Sequence, residues 1–88
     1  MNDMSIGQIV RSKAGRDQGR VFVVVANSDD SHVMIADGDL RKIEKPKKKK
    51  IKHLQKINKI AEDVRSKIIN NERITNEDLK NALEQFRS

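Results

Sequence analysis

The chain has 88 residues and no cysteine, and its 19 lysines and arginines against 13 aspartates and glutamates give a formal net charge of +6. This length supports one small domain. Aromatic residues make up 2% of the chain, so we expect a thin, aliphatic core with little room for a large enzyme pocket. Without thiols there are no disulfides, thiolate zinc sites or cysteine nucleophiles.

The first half of the chain predicts short strands separated by turns. Apolar residues cluster in four segments, which we expect to be strands at 6–11, 21–26, 32–36 and 40–43. The β-branched run 21–26 is typical of a strand buried on both faces. A loop should span 13–20 with a positive φ at Gly19, and a turn should span 27–31. Asp37-Gly38 favours a tight hairpin, so a small, strongly bent sheet or barrel is predicted.

The second half changes to a helical period. Apolar residues mark one face of an amphipathic helix, namely Ile57, Ile60, Ala61, Val64 and Ile68. Asn58 is a candidate N-cap for this helix. Thr75 and Asp78 resemble a capping box that begins a second short helix. The apolar face of the second helix consists of Leu79, Ala82, Leu83 and Phe86. We therefore expect a β domain, 1–56, and a helical extension packed on it, 57–88.

Most of the positive charge lies in residues 41–56, a basic tract with nine lysines and arginines and one glutamate. The positive charges are too dense for carboxylates within the chain to neutralise, and folding alone gives no reason to place like charges together. A phosphate backbone binds such a cluster, because the lysines and arginines release its counterions. We expect the lysines at 47–50 to be extended and solvated, and residues 45–50 to lack a fixed conformation without an anionic partner. A solubilising linker, a polybasic membrane-surface segment and a nuclear-localisation signal are alternative roles.

The sequence offers little chemistry for catalysis. Neither His32 nor His53 lies near a nucleophile signature, and the histidines and carboxylates do not have the spacing of metal ligands. Asp29 and Asp30 fit a solvated turn better than an acid–base pair. The glycine loop lacks the Gly-Lys-Ser/Thr ending of a P-loop. We therefore expect no enzymatic activity, cofactor, metal or small-molecule substrate.

The segment 7–24, GQIVRSKAGRDQGRVFVV, resembles the KOW motif. In that motif two hydrophobic strands flank a glycine-bounded basic loop and form part of an SH3-like barrel. Residues 12–17, 35–38 and 41–54 resemble more narrowly a ribosomal large-subunit KOW family of archaea and eukaryotes and its short bacterial relatives. The resemblance implies a fold that is mainly β with α, in which a small SH3-like barrel precedes two short C-terminal helices.

The resemblance also implies RNA binding, most of all to large-subunit rRNA, with neighbouring ribosomal proteins as further partners. Phe22 and Phe86 are both expected in the core, so the protein should recognise phosphates and RNA shape with little base stacking. The expected RNA contacts are Lys13, Arg16, Arg20, Arg41, Lys42, Lys45, Lys47, Lys48, Lys49, Lys50, Lys52 and His53. The residues expected to shape the loops are Gly15, Gly19, Asp37 and Gly38.

Two alternatives come from other functional classes. KOW barrels also dock proteins, and the apolar face of the second helix would suit a partner's groove. A transcription-associated KOW module that contacts polymerase and nucleic acid is the other. The sequence lacks both the apolar segment of a signal peptide and any stretch approaching ~20 apolar residues, so we expect a soluble cytoplasmic protein without membrane contact.

Overall fold

The computed structural model describes residues 4–86 as a five-stranded antiparallel sheet followed by two helices. The strands are β1 (Gln8–Ser12), β2 (Val21–Asp29), β3 (His32–Ala36), β4 (Lys47–Lys50) and β5 (Leu54–Ile60). The helices are α1 (Glu62–Ile69) and α2 (Asn76–Leu83), and short 3₁₀ helices lie at Ile51–His53 and Glu84–Phe86. The strand order is β4-β3-β2-β1-β5, and the sheet is open. The fold is therefore mainly β with α, as the sequence predicts.

Strand β2 is buried on both faces, which confirms that prediction. Side chains along a strand point alternately to opposite faces. On one face Val21, Val23 and Val25 pack in a core shared with α1 and α2, the helix-side core. On the other face Phe22 and Val24 join a second core with residues of β1, β3 and β5. The apolar run of β2 thus supplies both cores at once.

Two strands, β1 and β2, differ in extent from the prediction. Strand β1 begins at Gln8, since the backbone before it makes a turn in which Gly7 has φ +90°. Strand β2 continues to Asp29, so the turn predicted at 27–31 shrinks to Asp30 and Ser31. The extension is possible because the polar end of β2 still pairs with β3.

The strand predicted at 40–43 is wrong, because the chain after β3 forms a tight loop. Asp37 is fully buried, and its Oδ1 accepts hydrogen bonds from the backbone N–H groups of Asp39 (2.9 Å) and Arg41 (2.8 Å). The N–H groups of Asp37 and Gly38 both donate to the carbonyl of Arg41, at 2.9 and 3.0 Å. This loop, 37–41, delays the return of the chain, and β4 becomes the partner of β3.

The first helix begins later than the sequence predicts. Ile57 and Ile60 lie in β5, and Asn58 is an exposed strand residue, not an N-cap. A bulge in the pairing of β1 with β5 is stabilised by the buried Gln8, whose Nε2 donates to two β5 carbonyls. The boundary placed at residue 57 therefore lies inside β5, and α1 starts at Glu62.

The second helix and its capping box are confirmed. Thr75 Oγ1 accepts the N–H of Asp78 (3.2 Å), and Asp78 Oδ2 accepts the N–H of Thr75 (3.0 Å). The backbone hydrogen bond from Thr75 and the Lys67 ammonium, 3.2 Å away, lower the pKa of Asp78. Leu79 and Leu83 are fully buried in the helix-side core. Their face of α2 is therefore core and does not form an exposed ligand for a partner's groove.

Gly38 lets α2 pack closely against the loop 37–41. Its φ is +80°, and a Cβ there would lie 2.2 Å from the backbone oxygen of Asn76. Gly19 has the predicted positive φ, +91°, but a Cβ at that position would meet no atom within 4 Å. The two glycines thus share a backbone conformation and differ in their surroundings.

We expect Gly38→Ala to destabilise the protein more than Gly19→Ala. Both substitutions incur about 1–2 kcal/mol because an L residue is strained at positive φ. Gly38→Ala must also displace the first turn of α2, which should bring its loss above ~3 kcal/mol. Urea unfolding followed by circular dichroism measures both losses, and equal values would contradict the close packing of α2 on the loop.

Candidate nucleic-acid interface

The run of four lysines forms β4 and pairs with β3 along its length. The prediction that residues 45–50 lack a fixed conformation without RNA is therefore wrong. Backbone hydrogen bonds to β3 and ion pairs with carboxylates elsewhere in the chain offset the repulsion between the lysines. Lysines on an edge strand also oppose pairing with another chain. Part of the run thus serves the fold itself.

A buried carboxylate, Asp17, neutralises the inward-facing half of β4. Lys47 Nζ lies 3.4 Å from its Oδ2, and Lys49 Nζ lies 3.0 Å from its Oδ1. Ser12 Oγ donates to the same Oδ1 (2.7 Å), and Lys49 Nζ also donates to the carbonyl of Ala14 (3.0 Å). The side chains of Asp17 and Lys49 are 4% and 8% exposed. Lys49, predicted to contact RNA, is therefore inaccessible to a phosphate in this structure.

The environment of Asp17 favours its ionised form. Burial alone would raise its pKa. The hydrogen bonds from Ser12 and Lys49, with the charges of Lys49 and Lys47, outweigh burial and lower the pKa of Asp17 to about 2. The carboxylate therefore remains charged near neutral pH and ties the glycine loop, 13–20, to β4.

The outward-facing lysines of β4 differ from each other. Lys48 Nζ lies 3.7 Å from Asp29 Oδ2 at the end of β2, and both side chains are about half exposed. Such surface pairs contribute little to stability. Lys50 is exposed, and within residues 4–86 it has no carboxylate at ion-pair distance. The alternation of the strand thus leaves Lys50 as the β4 lysine most available to a ligand.

Five basic groups lie near the junction between β4 and β5. The 3₁₀ helix Ile51–His53 joins the two edge strands of the sheet, and the N–H of Lys13 donates to the carbonyl of His53 (2.8 Å). Partial burial, followed by the positive charges of the surrounding lysines, lowers the pKa of His53. These lysines are Lys52, Lys50, Lys49 and Lys13. We call the accessible members of this group the cationic corner: Lys13, Lys50, Lys52 and His53.

The other predicted contacts lie on two neighbouring loops, on the segment that leads into β4 and on β4 itself. Arg20 Nη2 lies 3.2 Å from the buried Asp37, so this arginine joins the glycine loop to the loop 37–41. Arg16 is exposed at the tip of the glycine loop, and Arg41 is half-buried in the loop 37–41. The exposed residues Lys42 and Lys45 follow before β4. The predicted contacts therefore divide into the cationic corner, these two loops, the segment that leads into β4, and the lysines engaged by carboxylates.

The sequence did not reveal the partners of the lysines. An aspartate inside a glycine-bounded loop was the available signal for Asp17, but its contact with β4 joins residues about thirty positions apart. The part of the chain that the structure describes contains no cluster of His, Cys, Asp and Glu suited to a metal ion. In the same part, neither helix has the length and hydropathy needed to cross a bilayer.

Comparison of the chain with protein-family models and with curated proteins found no match.

Asp17→Asn should destabilise the protein by about 3 kcal/mol, because it leaves Lys49 buried beside a neutral amide. Asp30→Asn makes the same charge change at an exposed turn position and should alter stability by less than about 0.5 kcal/mol. Denaturant unfolding of the two variants and the wild type measures the difference. Similar losses in both variants would argue against a stabilising buried ion pair.

Acid should remove the contribution of Asp17 to stability. A carboxyl whose pKa falls from 3.8 to about 2 on folding stabilises the native state fully above roughly pH 4. The contribution, roughly 2 kcal/mol, is lost as the pH falls through about 2. Unfolding curves between about pH 5 and pH 2 should therefore fall more steeply for the wild type than for Asp17→Asn, which keeps every other carboxylate. Parallel curves would show that Asp17 has an ordinary pKa.

Proposed function

We propose that this protein is a non-enzymatic RNA-binding module of the KOW type that contacts the rRNA of the large ribosomal subunit. The observation that carries the proposal is the cationic corner. Its three lysines are exposed, and no carboxylate in the part of the chain that the structure describes pairs with them. Positive groups held together without internal partners bind a phosphate backbone by releasing its counterions.

The topology supports the assignment to SH3-like folds. The edge strands β4 and β5 are consecutive in the chain and are joined by one 3₁₀ helix, so the ends of the open sheet curve toward each other. The loop between β1 and β2 contains Gly15 and Gly19, both at positive φ, where the KOW motif places its glycine-bounded loop. We infer that the sheet is an open member of that class.

The surroundings of the cationic corner favour phosphates over a membrane surface. Phe22 is fully buried and Phe86 is half-buried against the helix-side core, so no phenylalanine, tyrosine or tryptophan side chain accompanies the lysines. The large hydrophobic residues exposed within residues 4–86 are Leu40 and Ile69, and neither belongs to the corner. Membrane-surface segments combine basic residues with apolar anchors, which the corner lacks. Phosphate contacts position a protein on RNA without stacking its bases.

We expect the double variant Lys50→Gln/Lys52→Gln to bind large-subunit rRNA at least about tenfold more weakly at moderate salt. The slope of log K against log salt concentration should become shallower by about two, because two phosphate contacts are lost. Arg73→Gln/Lys80→Gln removes the same charge from the helical part and serves as the matched control. Filter binding over a salt series measures both quantities, and circular dichroism checks that the variants fold.

Wild-type binding that is independent of salt would contradict the proposal, as would equal weakening by the two double variants. Sedimentation of a cell lysate tests the ribosomal assignment, which rests on the resemblance to large-subunit KOW proteins. The protein should travel with large subunits. Movement with RNA polymerase would replace the ribosomal assignment by the transcription-associated one.

A further inference from the structure

We infer that the cleft between the glycine loop and the loop 37–41 is a second RNA subsite that takes one unpaired nucleotide, with its base on Leu40 and its phosphate between Arg16 and Arg41. The inference rests on the proposed RNA binding. It adds a base contact, which the cationic corner does not provide.

The cleft has the size and lining of a site for one nucleotide. Its volume is about 310 Å³, and it is lined by Arg16, Asp17, Leu40, Arg41 and Lys47. This volume lies at the lower end of the range of about 300–1,000 Å³ for small-ligand pockets. The lining combines one apolar side chain with two guanidinium groups. A nucleotide presents the complementary pair of surfaces, an apolar base face and an anionic phosphate.

Ion pairs fix both walls of the cleft. The glycine loop supplies the acidic partner of one pair and the basic partner of the other. The glycine loop contributes Asp17, which pairs with Lys47 of β4 at 3.4 Å. It also contributes Arg20, which pairs with Asp37 of the facing loop at 3.2 Å. Asp37 in turn holds the backbone on either side of Leu40 through its hydrogen bonds from the N–H groups of residues 39 and 41. A preorganised cleft loses little conformational entropy when a ligand binds.

Leu40 is placed as a ligand contact and not as part of either core. Its side chain belongs to neither core cluster, and the residue is 56% exposed at the tip of the fixed loop. Leucine and other apolar side chains serve as wedges against nucleic-acid bases, and arginine guanidinium groups stack on unpaired RNA bases or fork onto phosphates. Arg16 and Arg41 have no ion pair within residues 4–86, so both are available for such contacts.

The carboxylate in the cleft does not oppose an anion. Asp17 already accepts hydrogen bonds from Lys47, Lys49 and Ser12, so its charge is neutralised inside the protein. The net charge that the cleft presents to a ligand is therefore that of its arginines. The carboxylates of an acidic peptide could pair with the same two arginines.

Continuity with the cationic corner favours RNA over a peptide. Lys49 contacts Asp17 at the cleft, and its Nζ also donates to the carbonyl of Ala14, the residue that follows Lys13 of the corner. One buried lysine therefore contacts both a residue that lines the cleft and the chain segment that carries Lys13 of the corner. A single polyanionic strand would contact both, with phosphates at the corner and an unpaired nucleotide in the cleft.

The test compares Leu40→Ala with Ile69→Ala, which truncates the second large aliphatic residue exposed within residues 4–86, at the end of α1. Two probes are used: an RNA hairpin with a loop of unpaired uridines, and its stem as a blunt duplex. We expect Leu40→Ala to weaken binding of the hairpin about tenfold, the scale of one lost base contact. Binding of the duplex and the salt dependence should not change, because no charge is removed. Ile69→Ala should bind both probes as the wild type does.

Each outcome bears on one of the two proposals. Unchanged hairpin binding by Leu40→Ala overturns the subsite and leaves the proposed function intact; a cleft that docks an acidic peptide would give this result. An equal loss on hairpin and duplex also overturns it, because Leu40 would then contact a groove. A wild type that binds neither probe contradicts RNA binding itself. In NMR spectra the Leu40 methyl signals, and not those of Ile69, should shift when the hairpin is added.

Discussion

The ion pair between Asp17 and Lys49 connects the glycine loop to β4, and both of these segments carry basic residues. Removing two charges from water is costly, and such pairs persist when further hydrogen bonds satisfy both partners. Here the carboxylate of Asp17 also accepts hydrogen bonds from Ser12 and Lys47. The ammonium of Lys49 also donates a hydrogen bond to the carbonyl of Ala14. The pair allows four consecutive lysines to form an edge strand of the sheet.

Strand geometry then determines which cations remain available. Alternate residues of β4 face opposite sides of the sheet, so Lys47 and Lys49 pair with Asp17 while Lys48 and Lys50 face outward. Half of a polybasic run thus stabilises the fold. The accessible cations that we assign to ligand binding lie in the cationic corner and on the two loops beside the cleft.

The helices contribute to this surface indirectly. They cover one face of the sheet through Leu79 and Leu83, and the N-terminus of α2 packs on the loop 37–41. The side chain of Asn76 accepts the N–H of Ile43 at 2.7 Å and donates to Glu44 at 3.0 Å. These contacts, with the pair between Arg20 and Asp37, hold the loop that carries Leu40. The C-terminal part of the chain therefore shapes a surface that it does not itself form.

Features that depend on near neighbours could be predicted from the sequence. The valines of β2, the positive φ of Gly19 and the capping box of Thr75 and Asp78 follow from residue type and from spacings of a few positions. The basic tract is visible in the sequence as a charge excess, and it contains three of the four residues of the cationic corner. These signals are local because propensity, turn conformation and capping involve only adjacent residues.

Features that depend on distant partners could not be predicted. Ile57 and Ile60 have helical spacing but lie in β5, because this segment pairs with the free edge of β1. The side chain of Gln8 donates hydrogen bonds to the β5 carbonyls at the bulge. The chain after Gly38 forms a loop because the carboxylate of Asp37 is buried beneath it. The division of the lysines between fold and surface required Asp17, thirty residues away, and burial is a property of the assembled structure rather than of any segment.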